Sequence, residues 1–279
     1  MPEGHTIHRL ARDHRPMLVG KAVAVTSPQG RFAAGAALVD GRSITRIEPC
    51  GKHLWYRFDD GQLLHVHLGL YGKFATGELP APEARGALRV RLTTEQHWLD
   101  LRGPTHCDLV TPAERRAVLD RLGPDPLRAS ADPDKAWDRI TRTKTPIGQL
   151  LMDQSVLAGV GNVYRAELLY RAGLSPFRAG RDVDRETWDA LWVDLVILMK
   201  AGVRANRIVT TERGDRERRR GPARREDSHY VYRRDGLPCR RCGTEVRTQV
   251  MAARNLFWCP GCQAPTGGSA PPVVGSALR

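Results

Sequence analysis

The sequence predicts an α+β chain of two lobes with a small cysteine-bearing appendage, and three observations predict it. Between Ala22 and about Val110, apolar and polar residues alternate with a period of two. From Ala136 to about Val209 apolar residues recur at helical spacing, and Cys239, Cys242, Cys259 and Cys262 then form two C-x2-C pairs. At 279 residues the chain exceeds one average domain. The expected organisation is a first lobe over 1–123, a helical lobe over 124–229, a cysteine unit over 230–263 and a disordered tail over 264–279.

In chain order, Pro2 and Glu3 are helix-start residues. Ile7, Leu10, Met17 and Leu18 follow at roughly helical spacing before Gly20, so a short N-terminal helix is expected. Leu54, Tyr56 and Phe58 alternate with His53, Trp55 and Arg57, and Leu64, Val66 and Leu68 with His65 and His67. Asp59-Asp60-Gly61 between them reads as a tight hairpin turn, and Leu88, Val90 and Leu92 mark a further strand. The expectation for this lobe is an antiparallel β-sandwich. Gly123-Pro124-Asp125-Pro126 reads as a linker before the helical lobe. The stretch TTERGDRERRRGPARREDS from residue 210 offers little to bury and reads as a mobile basic loop.

A net charge of +13 calls for a polyanionic partner, with nucleic acid first, because self-repulsion otherwise destabilises the compact state. Of 44 basic residues only six are lysines, so the charge sits largely on guanidinium groups that fork onto phosphate. An Arg-biased composition gives the same count without any such role. No run of 18 apolar residues and no signal peptide is present, which excludes a membrane span and points to the cytoplasm.

In a reducing compartment, C-x2-C-x16-C-x2-C reads as four thiolates on one structural Zn²⁺, with no position left for water. Cys50 and Cys107 read as inert buried thiols. The intervening hairpin carries Arg247 and Arg254, either phosphate contacts or merely solvated. Gly159-Val160-Gly161-Asn162 precedes an amphipathic helix with Asn162 as its cap. That is a possible anion site, although taken alone it reads rather as a tight helix connection. His65 and His67 lack a third ligand and read as surface or core histidines.

Together MPEG, LAGVGNVYRAELL and WCPGCQ resemble, in order and spacing, the formamidopyrimidine-DNA glycosylase/endonuclease VIII family over about residues 1–263. The resemblance implies a β-sandwich lobe, a helix-two-turn-helix lobe and a zinc-finger hairpin, acting as a monomer on damaged DNA. It makes Pro2 the nucleophile and Glu3 the catalytic acid of a glycosylase that also cleaves the strand by β,δ-elimination. Lys52, Asn162 and Arg254 would hold phosphates around the lesion, Lys52 and Arg254 counting also as catalytic, and Leu70 and Tyr71 would fill the gap in the base stack. Thr6 stands where many members have a second glutamate, and LRGPTHCDLV lacks the Arg-x-Phe wedge of the 8-oxoguanine branch. Oxidised pyrimidines are therefore the expected substrates. 8-Oxoguanine specificity and a nonenzymatic zinc-ribbon DNA-binding protein are the alternatives.

Overall fold

The computed structural model describes residues 2–264, so all but the first residue of the tail expected to be disordered lies outside the described residues. The chain divides into two compact units between Arg121 and Leu122.

The first unit opens with α1 (Gly4–Leu18), whose Ile7, Ala11 and Leu18 are buried. β1 (Ala24–Thr26), α2 (Ala33–Val39), β2 (Ile44–Cys50), β3 (His53–Phe58) and β4 (Leu63–His67) follow. β5 (Lys73–Glu78), β6 (Leu88–Thr93), β7 (His97–Arg102), β8 (His106–Val110) and α3 (Pro112–Asp120) complete it. The strands form two four-stranded antiparallel sheets, ordered β1-β6-β7-β5 and β2-β3-β4-β8. Both contribute to one apolar core, which collects Val25, Leu92 and Leu99 from the first sheet and Ile47, Tyr56 and Val66 from the second. The alternating faces read in the sequence are visible in β6, where Leu88, Val90 and Leu92 are buried and the residues between them are not.

Two helices in this unit escape a reading based on apolar stripes. α2, with the sequence AAGAALV, buries only Ala36 and Val39, too little for a recognisable helical face. α3 buries none of its residues. Its start is nevertheless written in the chain: Thr111 and Glu114 make a reciprocal capping box around Pro112.

The second unit contains α4 (Pro133–Thr141), α5 (Ile147–Leu150), α6 (Asn162–Arg171), α7 (Arg185–Ala205), β9 (Arg247–Met251) and β10 (Arg254–Trp258). α7 is capped at both ends as its sequence dictates: the Asp184 carboxylate accepts from the Thr187 backbone N–H, and Asn206 ends the helix in the left-handed region at φ 55°. α6 departs from expectation in two ways. Its cap is Gly161 and not Asn162, which is the first helical residue with a buried side chain. The helix is not amphipathic, because nine of its ten residues are buried, Arg165 and Glu167 among them.

Those two buried charges organise the rest of the unit. The Glu167 carboxylate accepts the backbone N–H groups of Tyr230 (2.7 Å), Val231 (2.8 Å) and Tyr232 (2.8 Å), and the Thr210 hydroxyl. An acceptor with two oxygens and about four lone-pair sites is thereby filled, which is the condition for burying it. The same contact ties down the Arg-rich stretch, which is better ordered than its composition suggests. Thr211 donates to the Asp227 carbonyl (2.6 Å), Arg216 returns to the Thr211 carbonyl (2.6 Å), and Arg240 pairs with the buried Asp227 (3.1 Å). Polar contacts do here what apolar burial does elsewhere, and apolar patterning carries no record of them.

β9 and β10 pair antiparallel, and the hairpin turns through Ala252 and Ala253, with φ of 52° and 55°. Two successive left-handed residues are the geometry of a type I′ turn, normally supplied by Asn-Gly or Asp-Gly. At the base of the hairpin the four thiols converge, every sulfur within 4.8 Å of the others. Cys239 and Cys262 stand 3.8 Å apart and Cys242 and Cys259 3.4 Å apart. Tetrahedral zinc with Zn–S bonds of about 2.3 Å needs sulfurs about 3.8 Å apart, so the four cysteines fit one structural ion. The Tyr170 hydroxyl of α6 lies 3.1 Å from Cys239 Sγ and links the site to the helix.

One zinc per chain is expected, and it should be a folding requirement for the hairpin, since structural zinc contributes roughly 10–16 kcal/mol in isolated fingers. Metal analysis of Cys242→Ser should find zinc lost, and DNA binding should weaken with it. DNA binding that survives complete loss of the metal would remove the hairpin from the DNA grip.

Candidate nucleic-acid interface and catalytic residues

In the first unit, Pro2 and Glu3 form an extended lead into α1, with Glu3 at φ −121° and ψ −179°. The Glu3 carbonyl accepts from Thr6 (2.9 Å), which fixes the lead to the first helical turn. Pro2 is half-buried and Glu3 fully buried. His5, in the next turn, is pushed down to about 4, first by burial and then by the positive chain terminus, and is therefore neutral at pH 7.

Lys52 sits half-buried in the turn between β2 and β3. The strand register sets His53 of β3 opposite His67 of β4, and His67 opposite His106 of β8, which makes a row of imidazoles beside it. His65 joins the row through a ring nitrogen 2.9 Å from His53. Burial first, then the neighbouring rings, holds His53 at about 4 and His65 at about 3. His67 is also lowered, by burial and then by Lys52. Sequence alone offered only His65 and His67; pairing of three strands supplies the others. The His53 ring stacks on His65 and tilts against His67, and burial lowers the pKa of all three.

Leu70 and Tyr71 follow β4 and are not core residues: Leu70 is 45% exposed and Tyr71 85%. Large apolar groups stay at a loop tip only if the loop cannot fold them inward, and two glycines explain why it cannot. Gly69 takes φ 65°, and a Cβ there would collide with Thr105 Oγ1; a Cβ on Gly72 would collide with the Leu68 carbonyl. The tight return is closed by the Gly72 N–H to that carbonyl (3.0 Å). The tip is thus a rigid apolar projection.

In the second unit, Asn162 and the hairpin tip are joined by a residue the sequence reading passed over. Arg165, fully buried, donates to the Met251 carbonyl (3.1 Å) and the Asn255 carbonyl (3.4 Å), on either side of the turn. It also donates to Asn162 Oδ1, while Asn162 Nδ2 donates to the Asn255 carbonyl (2.9 Å). One guanidinium therefore fixes the first turn of α6 and the hairpin tip as one body. Arg254 at that tip is exposed, and it lines a cavity of about 480 Å³ together with Thr145, Gln149 and Asp153. An Arg on the surface of a clamped turn can meet phosphate at little entropic cost. The available signal for Arg165 and Glu167 was two charges on a stretch otherwise as apolar as VYRAELL, and its meaning depends on partners some 60 to 90 residues away, as at Tyr230 and Asn255.

The candidate residues thus form two groups, Pro2, Glu3, Lys52, Leu70 and Tyr71 in the first unit and Asn162, Arg254 and the cysteines in the second. No described helix is long and apolar enough to cross a membrane.

Comparison with known proteins accounts for nearly the whole chain. Residues 1–107 match the formamidopyrimidine-DNA glycosylase N-terminal domain, residues 122–213 the formamidopyrimidine-DNA glycosylase H2TH domain, and residues 236–265 the zinc finger found in FPG and IleRS. Endonuclease 8 1 of Mycobacterium tuberculosis is 49% identical over 270 residues, covering 94% of this chain and all of the relative. Formamidopyrimidine-DNA glycosylase of Thermus thermophilus is 32% identical, over 94% of this chain and 98% of the relative. The crystal structure of the MutM (Fpg) protein from Thermus thermophilus superposes with a TM-score of 0.77 at 30% identity, covering 95% of this chain and all of the other. The Lactococcus lactis Fpg in complex with abasic-site DNA has the same fold, with a TM-score of 0.78 at 20% identity, covering 94% of this chain and all of the other. With matches that span both units and the zinc hairpin, the chain belongs to the formamidopyrimidine-DNA glycosylase/endonuclease VIII family.

Proposed function

We propose that this protein is a bifunctional DNA glycosylase and abasic-site lyase of base excision repair, acting on oxidised bases and preferring oxidised pyrimidines. The observation that carries this reading is the Pro2-Glu3 lead, a half-buried proline beside a fully buried carboxyl at the start of α1, in a chain 49% identical to an endonuclease 8 over that relative's full length. Exposed Leu70 and Tyr71 at a rigid tip, without an Arg-x-Phe wedge at LRGPTHCDLV, support the pyrimidine preference. A nonenzymatic DNA-binding protein would explain charge and zinc but give this lead no task. The protein would work as a monomer on damaged DNA in the bacterial cytoplasm, at the nucleoid.

The chemistry follows from the residues. A base in a duplex must be everted, which costs a few kcal/mol of stacking; Leu70 and Tyr71 would fill the gap, and Lys52, Asn162 and Arg254 would hold the flanking phosphates. With Met1 removed, the Pro2 nitrogen is a secondary amine. A terminal amine has a pKa of about 7.7–8.0, against about 10.4 for lysine, so a usable fraction is unprotonated at neutral pH. Its lone pair attacks C1′ and the base departs with the glycosidic electron pair. Glu3 would protonate the ring oxygen as the sugar opens, leaving an iminium. That cation acidifies the C2′–H bond, whose electrons expel the 3′ phosphate as the proton leaves to solvent; loss of a second proton, from C4′ of the conjugated iminium, then expels the 5′ phosphate.

Protein processed to Pro2 should form a borohydride-trappable adduct with lesion DNA, whereas protein retaining Met1, whose proline nitrogen is an amide, should bind without being trapped. Glu3→Gln should bind normally and lose base excision by about 10²- to 10⁴-fold. Undiminished trapping with Met1 in place would end the Pro2 assignment, and duplexes bearing single oxidised pyrimidines or 8-oxoguanine would settle the preference.

Affinity should fall with salt at a log-log slope of about −0.9 per phosphate neutralised, and Arg254→Ala should make the slope shallower by about one such step. A slope unchanged in folded Arg254→Ala protein would show that Arg254 meets no phosphate.

A further inference from the structure

The second unit has another cavity, of about 470 Å³, enclosed by the Arg-rich loop and the segment leading into the cysteine unit. None of the residues assigned to the proposed chemistry or phosphate grip lines it. Its wall combines cations, aromatic faces and acceptors. Arg225 and Arg233 are exposed, and neither is ion-paired among the described residues. The Arg233 guanidinium lies 5.6 Å from the centroid of the Tyr232 ring, and His229 meets that ring edge-on at 5.4 Å. Arg240 is held in the wall by Asp227 (3.1 Å) and by the Glu226 carbonyl (2.6 Å), and Arg234 by the Tyr230 carbonyl (3.1 Å). Glu217, Glu226 and the half-exposed Leu237 complete the lining.

His229 shows what the wall lacks. Burial lowers its pKa, so the ring is neutral at pH 7. Nε2 is buried with no hydrogen-bond partner among the described residues. A bare phosphate would leave most of the volume empty and would face two carboxylates. A nucleotide matches each feature: phosphate for Arg225 and Arg233, an apolar ring for the half-exposed Leu237, and base N–H groups for Glu217 or Glu226.

We propose that this cavity is a second nucleotide-binding site, which takes one nucleotide of unpaired DNA in addition to the nucleotide processed at Pro2. The choice of DNA as the source rests on the DNA-repair reading; the site itself does not depend on Pro2 chemistry.

The test is fluorescence titration of the full-length, zinc-loaded chain with two probes, 2-aminopurine deoxyriboside monophosphate and a short single-stranded oligonucleotide carrying one 2-aminopurine. Saturable quenching is expected with both, and tighter with the oligonucleotide. Arg225→Ala and Arg233→Gly should each weaken it by about tenfold, the loss of one hydrogen bond to a charged group. Glycine is chosen because Arg233 takes φ 56°. Arg116→Ala, on the exposed helix α3 of the first unit, should leave monophosphate binding unchanged, and zinc content reports that each variant is folded. Absence of saturable quenching, or quenching that Arg225→Ala and Arg233→Gly do not alter, overturns the site. Tighter binding of the monophosphate than of the oligonucleotide overturns DNA as its source. The monophosphate arm uses neither lesion nor catalysis, so its failure leaves the Pro2 reading untouched.

Discussion

Much of the second unit depends on one helix that buries a cation and an anion, each held by backbone groups of a distant segment. Arg165 spends its donors on carbonyls of the hairpin turn and on Asn162, and Glu167 spends its lone pairs on the backbone N–H groups of residues 230–232. Removing either partner would strand a buried charge, which is far costlier than losing a surface contact. Two segments distant in sequence are therefore committed to one arrangement. The Ala252-Ala253 turn also becomes intelligible: left-handed alanines are unfavourable by roughly 1–2 kcal/mol each, and the guanidinium that holds the carbonyls on either side helps to offset that cost.

The same logic of over-determined backbone holds in the first unit by other means. The loop after β4 keeps Leu70 and Tyr71 in solvent because Gly69 and Gly72 pack where no side chain fits. The cross-strand register brings His53, His67 and His106 into one row next to Lys52. Burial lowers His53 and His67 so that both are neutral near pH 7, and the nearby Lys52 lowers them further. In both units exposed side chains, Leu70 and Tyr71 in the first and Arg254 in the second, stand on backbone held by close packing or buried hydrogen bonds. Such preorganisation lowers the entropic cost of binding a ligand.

What the sequence made legible follows from how local each signal is. β3, β4 and β6, the Asp59-Asp60-Gly61 turn and α1 depend on short-range alternation and turn chemistry, and they stand where the pattern put them. The cysteine spacing identified the metal site because four thiolates in two pairs have few other uses in a reducing compartment. α2 and α3 were missed for lack of an apolar face, although Thr111-Pro112-Ala113-Glu114 spelled out the start of α3. Asn162 was read as a cap and proved to be a buried helical residue, because its partner, the Asn255 carbonyl, is 93 positions away. The Arg-rich stretch looked structureless for the same reason: its order comes from polar contacts to Asp227, Tyr230 and Glu167, which no periodicity reports.

If Arg165 holds Arg254 and Asn162 as a single phosphate grip, a double-mutant cycle on DNA affinity should find Arg165 and Arg254 coupled. Arg165→Met, Arg254→Ala and the double variant would be titrated with a duplex containing a stable abasic-site analogue, with zinc content measured alongside. The account predicts that Arg165→Met keeps its zinc and loses affinity, and that adding Arg254→Ala to it costs much less than Arg254→Ala costs alone. Fully additive losses, or unchanged affinity in Arg165→Met, would show that the two arginines act independently and would contradict the account.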